Sequence, residues 1–176
     1  MKRTIMIFPH FENMNIIDQI RSKYDPLAQY VRPHITLVFP FESDLTVDEL
    51  RNHLTRVSSD FEPFELSMEK VVKIDNQLGK YLFLLIDKGI DHVKKISAGL
   101  YTGVLEPHKP VWLNEASYLP HMTLGCFKSK EDLELAFDDV IMQDMRFETM
   151  VDKISVEIID ENEYSIVDIE VELLKR

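Results

Sequence analysis

The sequence predicts an α+β fold with two lobes, related by a pseudo-two-fold axis, on either side of a central cleft. The first observation is a doubled motif: Pro-His-Ile-Thr-Leu at positions 33–37 returns as Pro-His-Met-Thr-Leu at positions 120–124. The second is that each copy precedes a helix with a capping sequence and then a strand–turn–strand segment. Two similar sheet-and-helix lobes are expected from this pattern, with the two motif strands lining the cleft.

The repeat extends beyond the motifs themselves. The histidines recur at an offset of 87 residues, from His34 to His121. Farther along the offset is 83, and the matched pairs are Phe64 with Phe147, Lys70 with Lys153, and Tyr81 with Tyr164. A shortening of four residues near the second helix reconciles the two offsets. A whole supersecondary unit is therefore repeated, within one domain that spans residues 1–176.

The first half of the chain predicts alternating strands and helices. These are a strand at 4–8, a helix at 13–24, the first motif strand at 34–38, a helix at 46–57, and strands at 64–74 and 81–86. Asp25-Pro26 ends the first helix, because the residue before a proline avoids helical dihedrals. Pro40 is expected to close the motif strand. Thr46-x-x-Glu49 is a capping box, and it opens a helix whose predicted inward face carries Val47, Leu50 and Leu54.

The second half predicts the same alternation around a less regular stretch. A helix at 91–101 precedes a connecting loop at 103–118, in which Val111, Trp112 and Leu113 are expected to be buried. The second motif strand follows at 121–127, with Cys126 expected on its core face. Ser129-x-x-Asp132 resembles a capping box for a helix to about 142. Two long strands at 147–159 and 164–174, joined by a turn at 160–163, close the chain.

Composition and charge limit the function classes. The chain has 176 residues and a formal net charge of −11, which argues against a protein that coats long nucleic acid, since such proteins carry basic surfaces. A small phosphate-bearing nucleotide or a short RNA end remains the expected partner, and a monomer is expected. Cys126 is the only cysteine, which excludes an intramolecular disulfide and fits a cytoplasmic setting. The apolar run before Pro9 is too short for a signal peptide, and no run approaches a membrane span.

The doubled motif supplies the groups for acid–base chemistry at a phosphate. In a β-strand alternate side chains share a face, so His34 and Thr36 point the same way, and so do His121 and Thr123. Histidine can act as an acid or as a base near neutral pH, and hydroxyls can donate hydrogen bonds to phosphate oxygens. The sequence shows no metal-binding spacing such as His-Glu-x-x-His, so no metal ion and no cofactor are expected.

Two His-x-Thr strands about ninety residues apart resemble the two-histidine (2H) phosphoesterase superfamily. That superfamily includes the proteins named 2′-5′ RNA ligases, which act as RNA 2′,3′-cyclic phosphodiesterases. The Ile-Phe-Pro end of the first strand and the segment Leu100–Leu105 are most similar to the YjcG-like branch. The resemblance implies a bilobal fold and a metal-independent hydrolase of phosphate esters. By position, it implies His34 as proton donor and His121 as proton acceptor, although the pseudo-symmetry leaves the two roles open.

Other polar and aromatic residues are expected to play structural parts. His53 and His92 are expected to be solvated on helices. His10 follows the first strand and His108 lies in a loop, so either of these two could reach a cleft. The two tyrosines of the repeat, Tyr81 and Tyr164, are expected in the core, with a place in the cleft as the alternative. For Tyr118 and Trp112, stacking on a base and burial are equally open. Arg32 and Lys128 flank the motif strands and could supply positive charge, but solvation at the surface is expected for both.

Three alternatives to a metal-independent hydrolase remain open. The same chemistry in reverse would make this protein a 2′-5′ RNA ligase. A binding module for RNA ends or nucleotides would use the same cleft without turnover. A zinc hydrolase would need a third ligand, for which His10 and His108 are candidates. The natural substrate, and whether a 2′- or a 3′-phosphate is the product, stay open at this stage.

Overall fold

Two four-stranded antiparallel sheets form the centre of the fold in a computed structural model, which describes residues 1–174. The elements in chain order are β1 (Lys2–Ile7), α1 (Met14–Tyr24), β2 (Ile35–Glu42), α2 (Val47–Ser58), β3 (Phe64–Asn76), β4 (Gly79–Ile86), α3 (Ile90–Leu100), a 3₁₀ helix (Gly103–His108), β5 (His121–Phe127), α4 (Lys130–Val140), β6 (Phe147–Val151), β7 (Lys153–Ile159) and β8 (Ser165–Glu172). The first sheet has the order β2-β1-β7-β8 and the second the order β5-β4-β3-β6. The predicted α+β class with two lobes is confirmed.

The repeat begins one strand earlier than the sequence pattern indicates. In each sheet the motif strand lies at one edge, beside the strand that precedes it in the chain, which is β1 for β2 and β4 for β5. The units β1-α1-β2-α2-β3 and β4-α3-β5-α4-β7 therefore correspond. The last strand of each unit lies in the sheet of the other unit, since β3 pairs in the second sheet and β7 in the first. Tyr81 and Tyr164 are thus not equivalent, because Tyr81 lies on β4, inside its sheet, whereas Tyr164 comes directly before β8, an edge strand.

One long strand at 147–159 was expected, and this prediction is wrong. The chain breaks at Asp152, since β6 pairs with β3 in the second sheet while β7 pairs with β1 in the first. A continuous strand cannot keep its hydrogen-bond ladder in two separate sheets, so one residue must leave the ladder at the crossing. The carbonyl of Asp152 accepts a hydrogen bond of 2.7 Å from the N–H of Leu173 instead.

The helices cover the outer faces of the two sheets. Helices α2 and α3 contact the first sheet, and α1 and α4 contact the second. The capping box of α2 is confirmed, because the N–H of Glu49 donates to the Thr46 hydroxyl and the Glu49 carboxylate accepts from the N–H of Thr46. Leu50 and Leu54 are buried as predicted, whereas Val47, the first residue of the helix, is 39% exposed. The Ser129 hydroxyl caps α4, which ends at Val140, two residues earlier than expected.

Pro40 does not close the first motif strand, contrary to expectation. Strand β2 continues to Glu42 because it is an edge strand, so the missing N–H of the proline breaks no ladder on its outer side. Arg3 pairs with Phe41 and Ile5 pairs with Val38, so two residues of β2 lie opposite one of β1 and form a bulge that accommodates the proline.

Among the described residues, no helix is long and apolar enough to cross a membrane.

Candidate active site

The two motifs lie on edge strands of the two sheets that contact each other. His34 comes directly before β2, His121 is the first residue of β5, and these two edge strands contact each other. The phenol of Tyr118, three residues before the second histidine, donates a hydrogen bond of 2.7 Å to the carbonyl of Thr36. The imidazole of His121 also contributes to lowering the pKa of His34, so the two rings are close enough to interact electrostatically. The fold therefore brings the predicted histidines together.

Both imidazole rings are held by the same local hydrogen bond. The Nδ1 atom of His34 lies 2.7 Å from the carbonyl oxygen of Arg32, and that of His121 lies 2.7 Å from the carbonyl oxygen of Leu119. A carbonyl oxygen can only accept, so in both rings Nδ1 carries the proton and donates it. In the neutral ring Nε2 is then the unprotonated nitrogen, which leaves it as the atom that can take up or deliver a proton.

Burial keeps both rings neutral in the free protein. The pKa of His34 is lowered to about 4, chiefly by burial and also by the nearby positive charges of Arg21 and His121, while the bond to the Arg32 carbonyl opposes the shift. Burial also lowers the pKa of His121, against the effect of its bond to Leu119. At neutral pH each ring can therefore act first as a base.

The aromatic neighbours of the two histidines differ. The ring of Phe83 on β4 stacks on His121, with ring centroids 3.5 Å apart and planes 15° apart. His34 instead meets the edge of Phe8 at a centroid distance of 6.2 Å. Phe83 therefore fixes the plane of the second imidazole more tightly than Phe8 fixes that of the first. Sequence reasoning did not identify either phenylalanine as a site residue.

A bulge follows the His-x-Thr triplet in both motif strands. Thr36 pairs with Met6 and Val38 pairs with Ile5, which leaves Leu37 as an extra residue, and Leu124 is left over in the same way between Thr123 and Gly125. A bulge inverts the alternation of side chains beyond it. Cys126 is consequently exposed, and the prediction that it lies on the core face is wrong. Before the bulge the alternation holds, so each threonine shares the face of its histidine.

The Nε2 atoms of the two motif histidines and the hydroxyls of the two motif threonines have no partner in the described part of the chain. Within residues 1–174, the hydroxyls of Thr36 and Thr123 form no hydrogen bond, and neither does Nε2 of His34 or of His121. All four residues are partly accessible to solvent. Two imidazole nitrogens and two hydroxyls are therefore left open to a ligand.

A cation lies beside the first histidine. The guanidinium of Arg32 lies 4.1 Å from the centre of the Phe8 ring and 3.9 Å from the carboxylate of Glu157. The Glu157 side chain is buried, and burial raises its pKa, while Arg32 opposes that shift. The Arg32 side chain is about half exposed, at 54%, so it is held in place and still open to a ligand. Lys128, for which solvation was also expected, is exposed.

Several other expectations about single residues need correction. His53 is buried rather than solvated, because its Nε2 bonds to the Leu100 carbonyl at 2.9 Å. Tyr164 is not in the core but half exposed, with its ring against Tyr30. In the loop after the 3₁₀ helix, Leu113 is buried as predicted, whereas Val111 and Trp112 are exposed.

Neither extra histidine contacts the motif pair. His10 is exposed, and the ring of His108 lies against Phe41, with the centroids 5.1 Å apart. In the part of the chain that the structure describes, no three histidine, cysteine, aspartate or glutamate side chains cluster in a way that could hold a metal ion.

Comparison with known proteins identifies a family over most of the chain. The family model described as "2'-5' RNA ligase superfamily" matches residues 8–163. A protein of Bacillus licheniformis is 26% identical over 154 residues, which are 87% of this chain and 87% of that protein. A protein of Bacillus cereus is 27% identical over 87% of this chain and 86% of its own length. Both carry the name "Putative phosphoesterase". The YjcG-like branch stays a prediction.

Solved structures share the fold at low sequence identity. The protein TT0787 of Thermus thermophilus matches with a TM-score of 0.67 and 14% identity, over 98% of both chains. Escherichia coli LigT in complex with 3′-AMP matches with a TM-score of 0.60 and 11% identity, over 99% of this chain and 98% of LigT. These likenesses confirm the two-lobed architecture.

Proposed function

Because this chain belongs to the 2′-5′ RNA ligase superfamily and is a phosphoesterase, we propose that it hydrolyses its substrate by acid–base catalysis between His34 and His121. The proposed bond is a cyclic phosphate or a 2′-5′ phosphodiester in a nucleotide or at an RNA end. The proposed mechanism uses no metal ion and no cofactor.

The matched pair of hydrogen bonds at Nδ1 carries this proposal. A positioned base or acid needs a defined tautomer, and a carbonyl acceptor on Nδ1 supplies it for both His34 and His121. A structural histidine would satisfy both ring nitrogens within the protein, as His53 does through Leu100 and Arg56. The motif histidines satisfy only one nitrogen and leave the other to a ligand.

The proposed reaction transfers one proton on each side of the phosphorus. Nε2 of one neutral imidazole takes a proton from a water molecule as its oxygen attacks phosphorus. Nε2–H of the other, protonated imidazole gives its proton to the ribose oxygen as the phosphorus–oxygen bond breaks. The product is a phosphomonoester with a free ribose hydroxyl, and exchange with solvent restores both rings. Each positioned proton transfer contributes a rate factor of about 10²–10⁴.

The threonine hydroxyls and one arginine complete the proposed site. Thr36 and Thr123 would donate hydrogen bonds to the non-bridging phosphate oxygens, because nothing in the described chain occupies those hydroxyls. The exposed guanidinium of Arg32 would attract the phosphate to the His34 side. A chain with a net charge of −11 needs such a local positive group to hold an anion.

The family resemblance gives His34 the role of donor and His121 that of acceptor. A donor must be protonated, whereas burial lowers the pKa of His34 to about 4 in the free protein. The negative charge of a bound phosphate would raise that pKa, so His34 would become the acid only in the substrate complex. The two roles exchange when the reaction runs backwards as ligation.

Small nucleotides are the proposed substrates rather than long RNA. Structures that share this fold include Escherichia coli LigT solved with 3′-AMP, with ATP and with NADP⁺. The acidic surface of this chain would repel a long polyanion outside the cleft.

A screen of substrates tests the proposal. Purified protein is incubated with 2′,3′-cyclic nucleotides, ADP-ribose cyclic phosphate and short RNAs that end in a cyclic phosphate, with and without a chelator. We expect turnover of at least one substrate, unchanged by the chelator, and turnover slower by about 10²–10⁴-fold for His34→Ala or His121→Ala. Binding without any turnover by the wild type would instead favour a binding module. A chelator-sensitive rate would exclude the metal-independent mechanism.

A further inference from the structure

A cavity of about 360 Å³ lies between α3 and the loop that precedes the second motif. None of the four motif residues lines this cavity. Its volume lies within the range of small-molecule sites, which is about 300–1,000 Å³.

Three lysines give the cavity a positive rim. Lys94 and Lys95 on α3 and Lys109 after the 3₁₀ helix all line it. Of the described residues that line the cavity, one, Glu115, carries a carboxylate. Within residues 1–174 none of the three ammonium groups has a salt bridge or a hydrogen bond.

These three lysines are distinguished by their place around one cavity, since five other described lysines, Lys2, Lys70, Lys88, Lys128 and Lys130, also have no carboxylate partner. Four other lysines pair with carboxylates, and these are Lys23 with Asp139, Lys73 with Glu134, Lys80 with Asp75, and Lys153 with Glu170. In a protein with 31 acidic and 20 basic residues, three lysines without such partners around one cavity form a local field that favours an anion.

The inner wall of the cavity is aromatic and apolar. Tyr101, Leu113 and Tyr118 are buried, with between 5% and 7% of their surface exposed. The hydroxyls of the two tyrosines face the protein, because that of Tyr101 accepts from the N–H of Phe39 and that of Tyr118 donates to the carbonyl of Thr36. The rings therefore provide an apolar surface for the body of a ligand.

We propose that this cavity is a second ligand site, separate from the two-histidine cleft, for a nucleoside di- or triphosphate. The base would lie against the tyrosine and leucine wall, and the phosphate groups would meet the three lysines. A compact anion alone would leave the apolar wall unused, and an apolar molecule alone would leave the lysines unpaired. The inference does not depend on the proposed hydrolysis.

Calorimetric titration with ADP tests the site, with adenosine and pyrophosphate as partial ligands. We expect ADP to bind more tightly than either, since only ADP carries both parts. Equal affinity for pyrophosphate and ADP would overturn the role of the apolar wall. Absence of ADP binding would overturn the site itself.

Two variants of the cavity are compared with a matched control. Replacing Lys94, Lys95 and Lys109 by Gln should weaken ADP binding by about tenfold or more, because charge-assisted hydrogen bonds are lost. The control replaces Lys2, Lys88 and Lys130 by Gln, which removes the same number of positive charges elsewhere and should leave the affinity within about twofold. Ala98→Phe fills the cavity without a change of charge and should also abolish binding. Equal losses in both triple variants would show a general charge effect and overturn the proposal.

The double variant His34→Ala/His121→Ala separates this site from the cleft. We expect it to keep its affinity for ADP within about twofold, whatever its hydrolytic activity. If the double variant loses ADP binding while the lysine variant keeps it, the nucleotide binds in the cleft and the second site is excluded. Neither result changes the test of hydrolysis.

Discussion

The phenol of Tyr118 donates a hydrogen bond of 2.7 Å to the backbone carbonyl of Thr36, and so joins the segment before the second motif to the strand of the first. The two residues are 82 positions apart in the chain. The bond links β2, an edge strand of one sheet, to the segment that leads into β5, an edge strand of the other.

Loss of this bond should destabilise the protein. Tyr118→Phe keeps the buried ring but leaves the Thr36 carbonyl without its donor, so the free energy of unfolding should fall by about 1 kcal/mol. Denaturant unfolding measures the change. Tyr164→Phe is the matched control, since its ring is half exposed and its hydroxyl has no partner in the described chain. An equal effect of the two substitutions would contradict the structural role of the bond.

The stability of the protein should depend on the state of His34. Its pKa is lowered from 6.5 to about 4 in the folded protein, so between these values the unfolded chain binds more protons. The contribution of this group to stability is therefore complete above pH 6.5 and is lost as the pH falls toward 4. Denaturant unfolding at a series of pH values should show a shallower decline for His34→Gln than for the wild type. His10, which is exposed, serves as the control. If His10→Gln changes the decline of stability with pH as much as His34→Gln does, the assignment of the decline to His34 is contradicted.

The stacking of Phe83 on His121 should matter for turnover. Phe83→Ala removes the ring that fixes the imidazole plane at 3.5 Å, so kcat/KM should fall by about tenfold or more. Phe8→Ala removes only an edge contact at 6.2 Å and should cost less. Circular dichroism checks that both variants fold. A larger loss for Phe8→Ala would show that the ring on the His34 side is the more important one.

Arg32 should contribute to substrate binding through its charge. In Arg32→Gln the carbonyl that holds His34 remains, so KM should rise by about tenfold while kcat changes less. Lys128→Gln, next to the second motif strand, removes an equal charge and should change KM little, since Lys128 is exposed and has no partner in the described chain. Steady-state kinetics on any substrate from the screen measures both constants. A fall in kcat with an unchanged KM would assign Arg32 a role in the chemical step instead.

Local sequence patterns predicted the elements that carry the site. The alternation in each motif placed His34 with Thr36 and His121 with Thr123, because the period of a strand is a local property. The capping box at Thr46 and Glu49 marked the start of α2 for the same reason.

Features set by distant partners were not predictable in this way. The break at Asp152 depends on which sheet each half of the segment joins, and the pairing partners, β3 and β1, are distant in the chain. The exposure of Cys126 follows from the bulge at Leu124, which is set by the register with β4. Phe83 was missed as a site residue because its contact with His121 is a cross-strand contact.

The most direct test of the central claim compares the two histidines singly and together. His34→Ala, His121→Ala and the double variant are assayed under single-turnover conditions on the best cyclic phosphate substrate. If the two imidazoles act as one acid–base pair, each single substitution should slow the reaction by about 10²–10⁴-fold, and the double variant should be little slower than either single one. A single variant that keeps nearly full rate, or losses that multiply as if the two residues acted independently, would contradict the proposed mechanism.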